Sequence, residues 1–394
     1  MFNTVLHCEP KKTMIKIGIT GQAGFVGTHL FNTLGLYPNQ FERIPFEDAF
    51  FQDNAKLNAF VQSCDAIVHL AAMNRHNDPE VLYQTNLELV RQLIGACEST
   101  KSTPHILFSS STQEERDNFY GKSKKEGRQL LKQWANRNSA QFTGLIIPNV
   151  YGPFGNPYYN SVIATFCHQM THNEQPKIEV DGEMKLIYVS ELVLYFIEKI
   201  KFHSVTRGLN TVLHCEPFLV PHTTEIKVKA LLSKLTEFKV NYFEKGILPN
   251  LDDPFGRNLF NTFLSYINHT TFFPFKLKLN SDDRGSFLET MKLNSGGQVS
   301  FSTTVPGITR GNHFHTRKAE RFAVIKGKAK IELRRIGTDK ILSFELDGNE
   351  PSFVDMPIWY THNITNIGED ELYTIFWINE HFDVSDPDTY FEKV

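Results

Sequence analysis

Apolar positions along this chain change their spacing once. From Ile15 the first half alternates short apolar runs, at residues 15–20, 65–72 and 105–111, with longer stretches of helical period. Such runs are strands buried on both faces, joined by amphipathic helices. A further strand is expected at 41–46, and residues 218–270 read as amphipathic helices with polar connections. Near Thr271-Phe-Phe-Pro-Phe-Lys276 the helical period gives way to short alternating runs separated by Gly, Asn and Asp, at 299–303, 321–325, 329–334 and 372–377. That pattern predicts an all-β barrel or sandwich. The expected organisation is an α/β domain over 14–273, a parallel sheet with helices on both faces, followed by an all-β barrel domain over 274–394.

Composition narrows the class. With 394 residues the chain is long enough for two cores, and 41% hydrophobic and 22% charged residues are those of a soluble globular protein. A net charge of −3 gives no basic surface for nucleic acid, and without an apolar run of 18 residues no membrane insertion is expected. Met1 to Lys12 lack the apolar core of a signal peptide. The five cysteines are scattered without CxxC spacing, which predicts reduced thiols and a cytoplasmic protein, with Cys64, Cys97 and Cys167 as ordinary core. Asn3 to Pro10 recurs identically as Asn210 to Pro217, with no repeat around either copy. Residues 1–13 are therefore expected to be an extra, non-native segment, with Met14 the natural start.

Chemistry enters at the turns. Gly21-Gln-Ala-Gly24-Phe25-Val-Gly27 follows the first strand and opens a helix. Gly21 allows the tight turn, Gly24 lets a phosphate approach the backbone, and Gly27 allows close helix packing. Arg43, Glu47 and Asp48 crowd the end of the second strand, so NADP and NAD both stay open. The third strand ends in Leu70 and small Ala71, room for a flat ring. Past Ser109-Ser110-Ser111 comes Tyr120-Gly-Lys-Ser-Lys124. Tyrosine and lysine four apart share a helical face, and an ammonium there favours the phenolate.

This order of motifs resembles the extended short-chain dehydrogenase/reductase family over residues 14–273 and implies its Rossmann-type α/β fold. The resemblance implies Ser111, Tyr120 and Lys124 as catalytic trio and Asn86 as proton-relay residue. It implies Gly21, Gly24, Phe25, Gly27, Arg43, Leu70 and Ala71 as cofactor contacts, with Tyr120 and Lys124. Pro148-Asn149-Val-Tyr-Gly152 matches the nucleotide-sugar segment, with Asn149 a substrate contact. The family's usual arginine before it is Ile146 here, and its Tyr-Val-x-Asp signature appears as Tyr188-Val-Ser-Glu191. Residues 156–168 are similar to one subset, the bifunctional capsular-polysaccharide enzymes of the CapF type. Asn160 and Ser161 are then substrate contacts or, as good N-caps, the start of a helix.

The β half carries its own motif, Gly307(x5)His313-x-His315(x4)Glu320(x6)Gly327. Residues i and i+2 of a strand face one way, so both imidazoles can aim inward with Glu320 beside them. His362 offers a third imidazole. Three imidazoles and a carboxylate suit a first-row divalent metal, zinc being expected and nickel, manganese or iron left open. The spacing resembles the first cupin motif. The second is recognisable in Pro357, His362 and Asn366, with Trp359 at its usual glycine, a change expected to alter the turn and narrow the pocket mouth. Asp282-Asp283-Arg284-Gly285-Ser-Phe-Leu-Glu289 resembles the DxRGxFxE segment of nucleotide-sugar 3,5-epimerases, which makes Arg284 a substrate contact. In that family the residue matching His313 is a base. As a metal ligand here it leaves Lys318, Tyr360 and Glu320 as unranked bases.

Together the resemblances imply a bifunctional enzyme on a UDP-linked 4-keto-6-deoxy amino sugar. Its first half would be an NADPH-dependent 4-ketoreductase (NADH open) and its second a metal-containing 3-epimerase, giving the talose-configured sugar. A homodimer through the cupins is expected. The alternatives are a single-activity reductase whose cupin dimerises the protein and a non-catalytic nucleotide-sugar sensor.

Overall fold

The computed structural model describes residues 14–206 and 217–394 apart from Arg284, with no side-chain description for 203–206. The segment 1–13 and residues 210–216 of the second Asn-to-Pro copy lie outside the described residues. The chain forms two compact units, 1–150 with 189–222, and 151–188 with 223–394. The helices over 223–272 thus belong to the same unit as the strands that follow residue 273.

In the first unit, β1 (Ile15–Thr20), α1 (Phe25–Gly35), β2 (Phe41–Ile44), α2 (Asn54–Ser63), β3 (Ala66–His69), α3 (Pro79–Thr100), β4 (His105–Ser111), α4 (Phe119–Asn138) and β5 (Phe142–Ile147) alternate. The chain then crosses, through β6 (Asn149–Tyr151), into α5 (Val162–Thr171) and β7 (Glu183–Tyr188) of the second unit. It returns for α6 (Val189–Thr206) and β8 (Phe218–Leu219). The parallel sheet runs β2-β1-β3-β4-β5-β8, as the buried apolar runs required. Its core joins Phe60, Val61, Ile67, Leu93, Ile106, Leu131 and Trp134. Cys97 is buried within it and Cys64 is half-buried.

The second unit continues with β9 (Thr224–Lys227), paired antiparallel to β7, then α7 (Val228–Glu237), a π-helical turn over 238–243, α8 (Pro254–Leu264) and α9 (His269–Phe272). Strand β9 departs from the helical reading of 218–270. Four residues alternating half-buried and exposed are too few to signal themselves. The remaining strands are β10 (Phe275–Lys276), β11 (Leu279–Asp282), β12 (Gly285–Leu288), β13 (Gln298–Thr304), β14 (Thr309–Phe314), β15 (Glu320–Lys326) and β16 (Lys328–Arg335). After them come β17 (Ile341–Asp347), β18 (Ser352–Met356), β19 (Tyr360–Asn366), β20 (Leu372–Ile378) and β21 (Tyr390–Phe391). Two five-stranded antiparallel sheets result, β10-β18-β15-β20-β13 and β17-β16-β19-β14-β21. Val324, Ile331, Leu333, Phe353, Val354 and Ile364 come from both sheets into one core, so the sheets pack face to face.

A buried polar cluster joins the helices of this unit to its strands. Arg321 Nε and Nη2 donate to the two Asp355 carboxylate oxygens at 2.6 and 2.8 Å. Tyr242 donates to Asp355 at 2.6 Å, and Arg321 Nη1 to the Gly246 carbonyl at 2.7 Å. No helix among the described residues is long and apolar enough to cross a membrane.

Candidate active site and metal centre

At the end of β1 the chain turns through Gly21, whose φ is +70°. A Cβ there would lie 2.8 Å from the Ala71 nitrogen, and one at Gly27 would lie 2.3 Å from the Gly21 carbonyl. Both positions therefore require glycine. Gly24 is the N-cap of α1 and supplies no side chain to the first-turn N–H groups. Those donors, at the positive end of the helix, form a cradle for a phosphate. Leu70 and Ala71 lie beside the turn, donating from the backbone to the Thr20 carbonyl at 3.1 Å and to Thr20 Oγ1 at 3.4 Å. The residues present thus fit a dinucleotide. Phe25 packs edge-on against His29. Arg43 donates to the Phe31 carbonyl at 3.1 Å and lies over the Phe31 ring, so its guanidinium is engaged with α1, and burial lowers its pKa.

Behind the turn, buried Asn86 accepts from the Met73 N–H at 2.7 Å and donates to the Met73 carbonyl at 3.0 Å and to Ser123 Oγ at 3.1 Å. Ser123 in turn donates to the Tyr120 carbonyl at 2.8 Å. Asn86 is thereby tied to the first turn of α4. Lys124 is buried, its ammonium 5.7 Å from the centre of the Tyr120 ring and 5.1 Å from that of Phe108. Burial brings its pKa down to about 8, against the pull of Glu114. Ser111 caps the turn after β4, its Oγ accepting from the Gln113 N–H at 3.2 Å. Asn149 is exposed. Asn160 is exposed and Ser161 caps α5, accepting from the Ala164 N–H at 3.2 Å, so the capping role is present. Arg284 lies outside the described residues.

Two supports were not read from the sequence. Glu114 is buried, forms a bidentate pair with Arg128 at 2.6–3.2 Å, and accepts from Ser110. His69 is buried beneath Thr20, 2.7 Å from its hydroxyl. Burial first, then the Lys124 charge, brings the His69 pKa down to about 3, so it is neutral. The only signal for either is an ionisable residue inside an apolar strand or just past one.

In the second unit the metal-type residues converge from both sheets. Their potential ligand atoms all lie within 4.8 Å of one another. The His362, His315 and His313 Nε2 atoms stand 3.0, 3.2 and 3.9 Å from Glu320 Oε2. A bulge between Gly311 and His313 sets the register that puts His313 opposite His362. His315 Nδ1 lies 2.5 Å from the Asp388 carbonyl and His362 Nδ1 lies 3.2 Å from the Tyr360 carbonyl. A carbonyl only accepts, so both Nδ1 atoms carry hydrogen and both Nε2 atoms turn a lone pair toward the carboxylate. His315 Nε2, His362 Nε2 and Glu320 Oε2 are buried without a hydrogen-bond partner. A single proton relieves one such contact, whereas a cation at the convergence relieves all of them. The cluster therefore fits a divalent metal.

Burial would raise the Glu320 carboxyl, but protons taken up at the imidazole Nε2 atoms turn them into donors to it and hold its pKa well below the usual range. Burial likewise opposes protonation of His315, and Glu320 reverses the sign there, whereas at His362 burial prevails and the pKa falls. Of the other groups considered as bases, Lys318 is buried with its ammonium donating to the Pro387 carbonyl at 3.0 Å. Burial raises the Tyr360 pKa. Trp359 corrects an expectation. Its φ is +62°, the left-handed conformation a glycine would take, so the turn is kept. Its ring is buried and stacked on Phe314 at 5.6 Å.

Comparison with known proteins finds two family matches, one in each half of the chain. Residues 17–199 match the NAD dependent epimerase/dehydratase family and residues 280–390 the polysaccharide biosynthesis C-terminal domain family. The UDP-2-acetamido-2,6-beta-L-arabino-hexul-4-ose reductase of Pseudomonas aeruginosa is 33% identical over 377 residues, covering 95% of this chain and 98% of that protein. The crystal structure of the capsular polysaccharide assembling protein CapF from Staphylococcus aureus is 35% identical, with a TM-score of 0.60 over 96% of this chain and 100% of that one. The spore coat polysaccharide biosynthesis protein SpsL of Bacillus subtilis is 27% identical over 123 residues, 29% of this chain and 82% of that protein.

Proposed function

The chain belongs to the family of UDP-2-acetamido-2,6-beta-L-arabino-hexul-4-ose reductases and CapF-type capsular-polysaccharide proteins, and from that premise we propose that it is bifunctional. It is an NAD(P)-dependent oxidoreductase of nucleotide sugars. In our reading residues 14–273 reduce the 4-keto group of a UDP-linked 4-keto-6-deoxy-N-acetylhexosamine, and the barrel over 274–394 epimerises C3. The product is the talose-configured sugar, destined for a surface polysaccharide.

The Gly21–Gly27 turn would hold the pyrophosphate of a nicotinamide dinucleotide, whose reduced form would supply the hydride, NADPH being the form the resemblance favours. The protein's residues handle the proton. Ser111 orients the substrate carbonyl and Tyr120 delivers a proton to the developing alkoxide. Lys124 favours the tyrosinate left behind, and Asn86 links Tyr120's turn to the proton path. Asn149, Asn160, Ser161 and Arg284 are assigned to the sugar nucleotide. The observation that carries this reading is the chain Met73–Asn86–Ser123–Tyr120 beside buried Lys124.

A ketone at C4 acidifies the proton at C3, so one substrate serves both halves. His313, His315, Glu320 and His362 would hold a divalent cation, zinc in our assignment, which would supply positive charge where the enolate's charge develops. Reduction at C4 then removes the acidifying carbonyl and makes the new configuration permanent. We assign a homodimer joined through the barrels and a cytoplasmic site of action.

Incubating the UDP-4-keto sugar in D2O without nicotinamide tests the barrel's part. Mass spectrometry is expected to show one deuterium at C3, lost when the protein is stripped with chelator and regained with zinc. Absence of exchange from the zinc-loaded protein would leave the reductase alone.

A further inference from the structure

Beyond its ligands, the His–Glu cluster is flanked by residues 386–394, which no part of the reaction above uses. This segment runs along the strands that supply the histidines. His313 faces Phe391 and Phe314 faces Tyr390 in the pairing of β14 with β21. The Glu392 N–H donates to the Asn312 carbonyl at 3.0 Å, and Thr361, next to His362, donates to the Glu392 carbonyl. Arg334 holds the same segment, donating to Glu392 at 2.9 Å and to the Lys393 carbonyl at 2.5 Å.

Asp388 is the centre of this arrangement. It is buried, and its φ of +41° places it in the left-handed region, which aspartate tolerates better than most residues but does not prefer. Its carboxylate accepts from the Thr316 N–H at 3.2 Å, the Thr316 hydroxyl at 2.6 Å, the Arg317 N–H at 3.0 Å and the Lys318 N–H at 3.1 Å. Its own carbonyl receives His315 Nδ1 at 2.5 Å. One residue thus grips the backbone that follows His315 and the far side of the His315 ring. Arg317 reinforces the loop through Asp386 at 2.8 Å and Glu380 at 3.2 Å.

We infer that residues 386–394 are a built-in brace of the metal-ligand cluster, with Asp388 the positioning residue that fixes the tautomer and direction of His315. The brace rests on the reading of the cluster as a metal centre. A histidine ligand donates its second ring nitrogen to an outer partner, and loss of that partner typically weakens metal binding by about 10–100-fold. Here the partner is a backbone carbonyl, so the side chain acts by holding that carbonyl in place against an unfavourable φ.

The test is zinc titration of the chelator-stripped full chain against a chromophoric chelator, with the visible spectrum of the cobalt(II) form as a second readout. Asp388→Ala is expected to bind zinc about 10–100-fold more weakly and to shift the cobalt bands. Asp388→Asn, which keeps part of the acceptor set, should fall between. Asp53→Ala removes a carboxylate of the same capping kind from α2, where it accepts from Ala55 and Lys56 at 3.1 Å, and should leave both readouts unchanged. If Asp388→Ala loses its cooperative melt, Thr316→Val decides, with weaker zinc binding expected in a folded protein. A folded Asp388 or Thr316 variant with wild-type zinc affinity and cobalt spectrum overturns the brace while leaving the metal centre intact. Wild-type protein that takes up neither metal overturns the metal centre and the brace with it.

Discussion

Lys124 shows how one buried charge separates stability from chemistry. Its pKa falls from the ordinary 10.5 to about 8 because burial disfavours the ammonium, a cost on the order of 3 kcal/mol. The sign follows from proton counts. Between pH 8 and 10.5 the unfolded chain binds a proton that the native chain has lost, so this contribution to stability rises with pH across that window. Below pH 8 both states are protonated and the full cost stands. Lys124→Met is therefore expected to melt no lower than wild type at pH 7 and to lose the stability gain between pH 8 and 10.5, while ketone reduction falls by at least about 100-fold. Thermal melts across pH, set beside turnover, check this. A variant that is less stable at pH 7 yet fully active would contradict it.

Among elements, what was legible follows from range. The strands at 15–20 and 105–111 were read from apolar runs and match β1 and β4. The alternating runs of the second half lie within β13, β15, β16 and β20. Strand β2 ends at Ile44, short of the expected Phe46, because Phe46 turns away to pack on Phe50, Phe51 and Phe60. Of the His–Glu cluster, His313, His315 and Glu320 were legible from local spacing on and beside β14 and β15, and His362, on β19, only through its own motif. Partners more than a hundred residues apart were not. Tyr242 and Asp355 are one such pair, and neither carries a local sign of the other. The Arg321–Asp355 pair is buried, with side chains 1% and 6% exposed. Removing one partner strands a buried charge, at a cost of about 3–5 kcal/mol. Arg321→Leu should thus lower denaturant stability by that amount. Arg321→Leu combined with Asp355→Leu should lose less than Arg321→Leu alone, and a double variant that loses more would show that the pair stabilises on balance.

For the whole molecule, the spacing of apolar positions changes near residue 273, whereas the second unit also takes in 151–188 and 223–272. Periodicity reports what an element is and not which core it joins, and Trp377 of the last long strand packs with Leu231, Phe260 and Phe263 in one cluster. The proposed activity of the whole chain is reduction of a UDP-linked 4-keto-6-deoxy amino sugar through Tyr120. The most direct measurement is loss of absorbance at the reduced-nicotinamide band when wild type and Tyr120→Phe are each mixed with that sugar and NADPH. Wild type is expected to oxidise NADPH only with the sugar present, and Tyr120→Phe at a rate lower by about 100- to 10,000-fold with nicotinamide binding retained. Equal rates in the two proteins, or none in wild type, would contradict it.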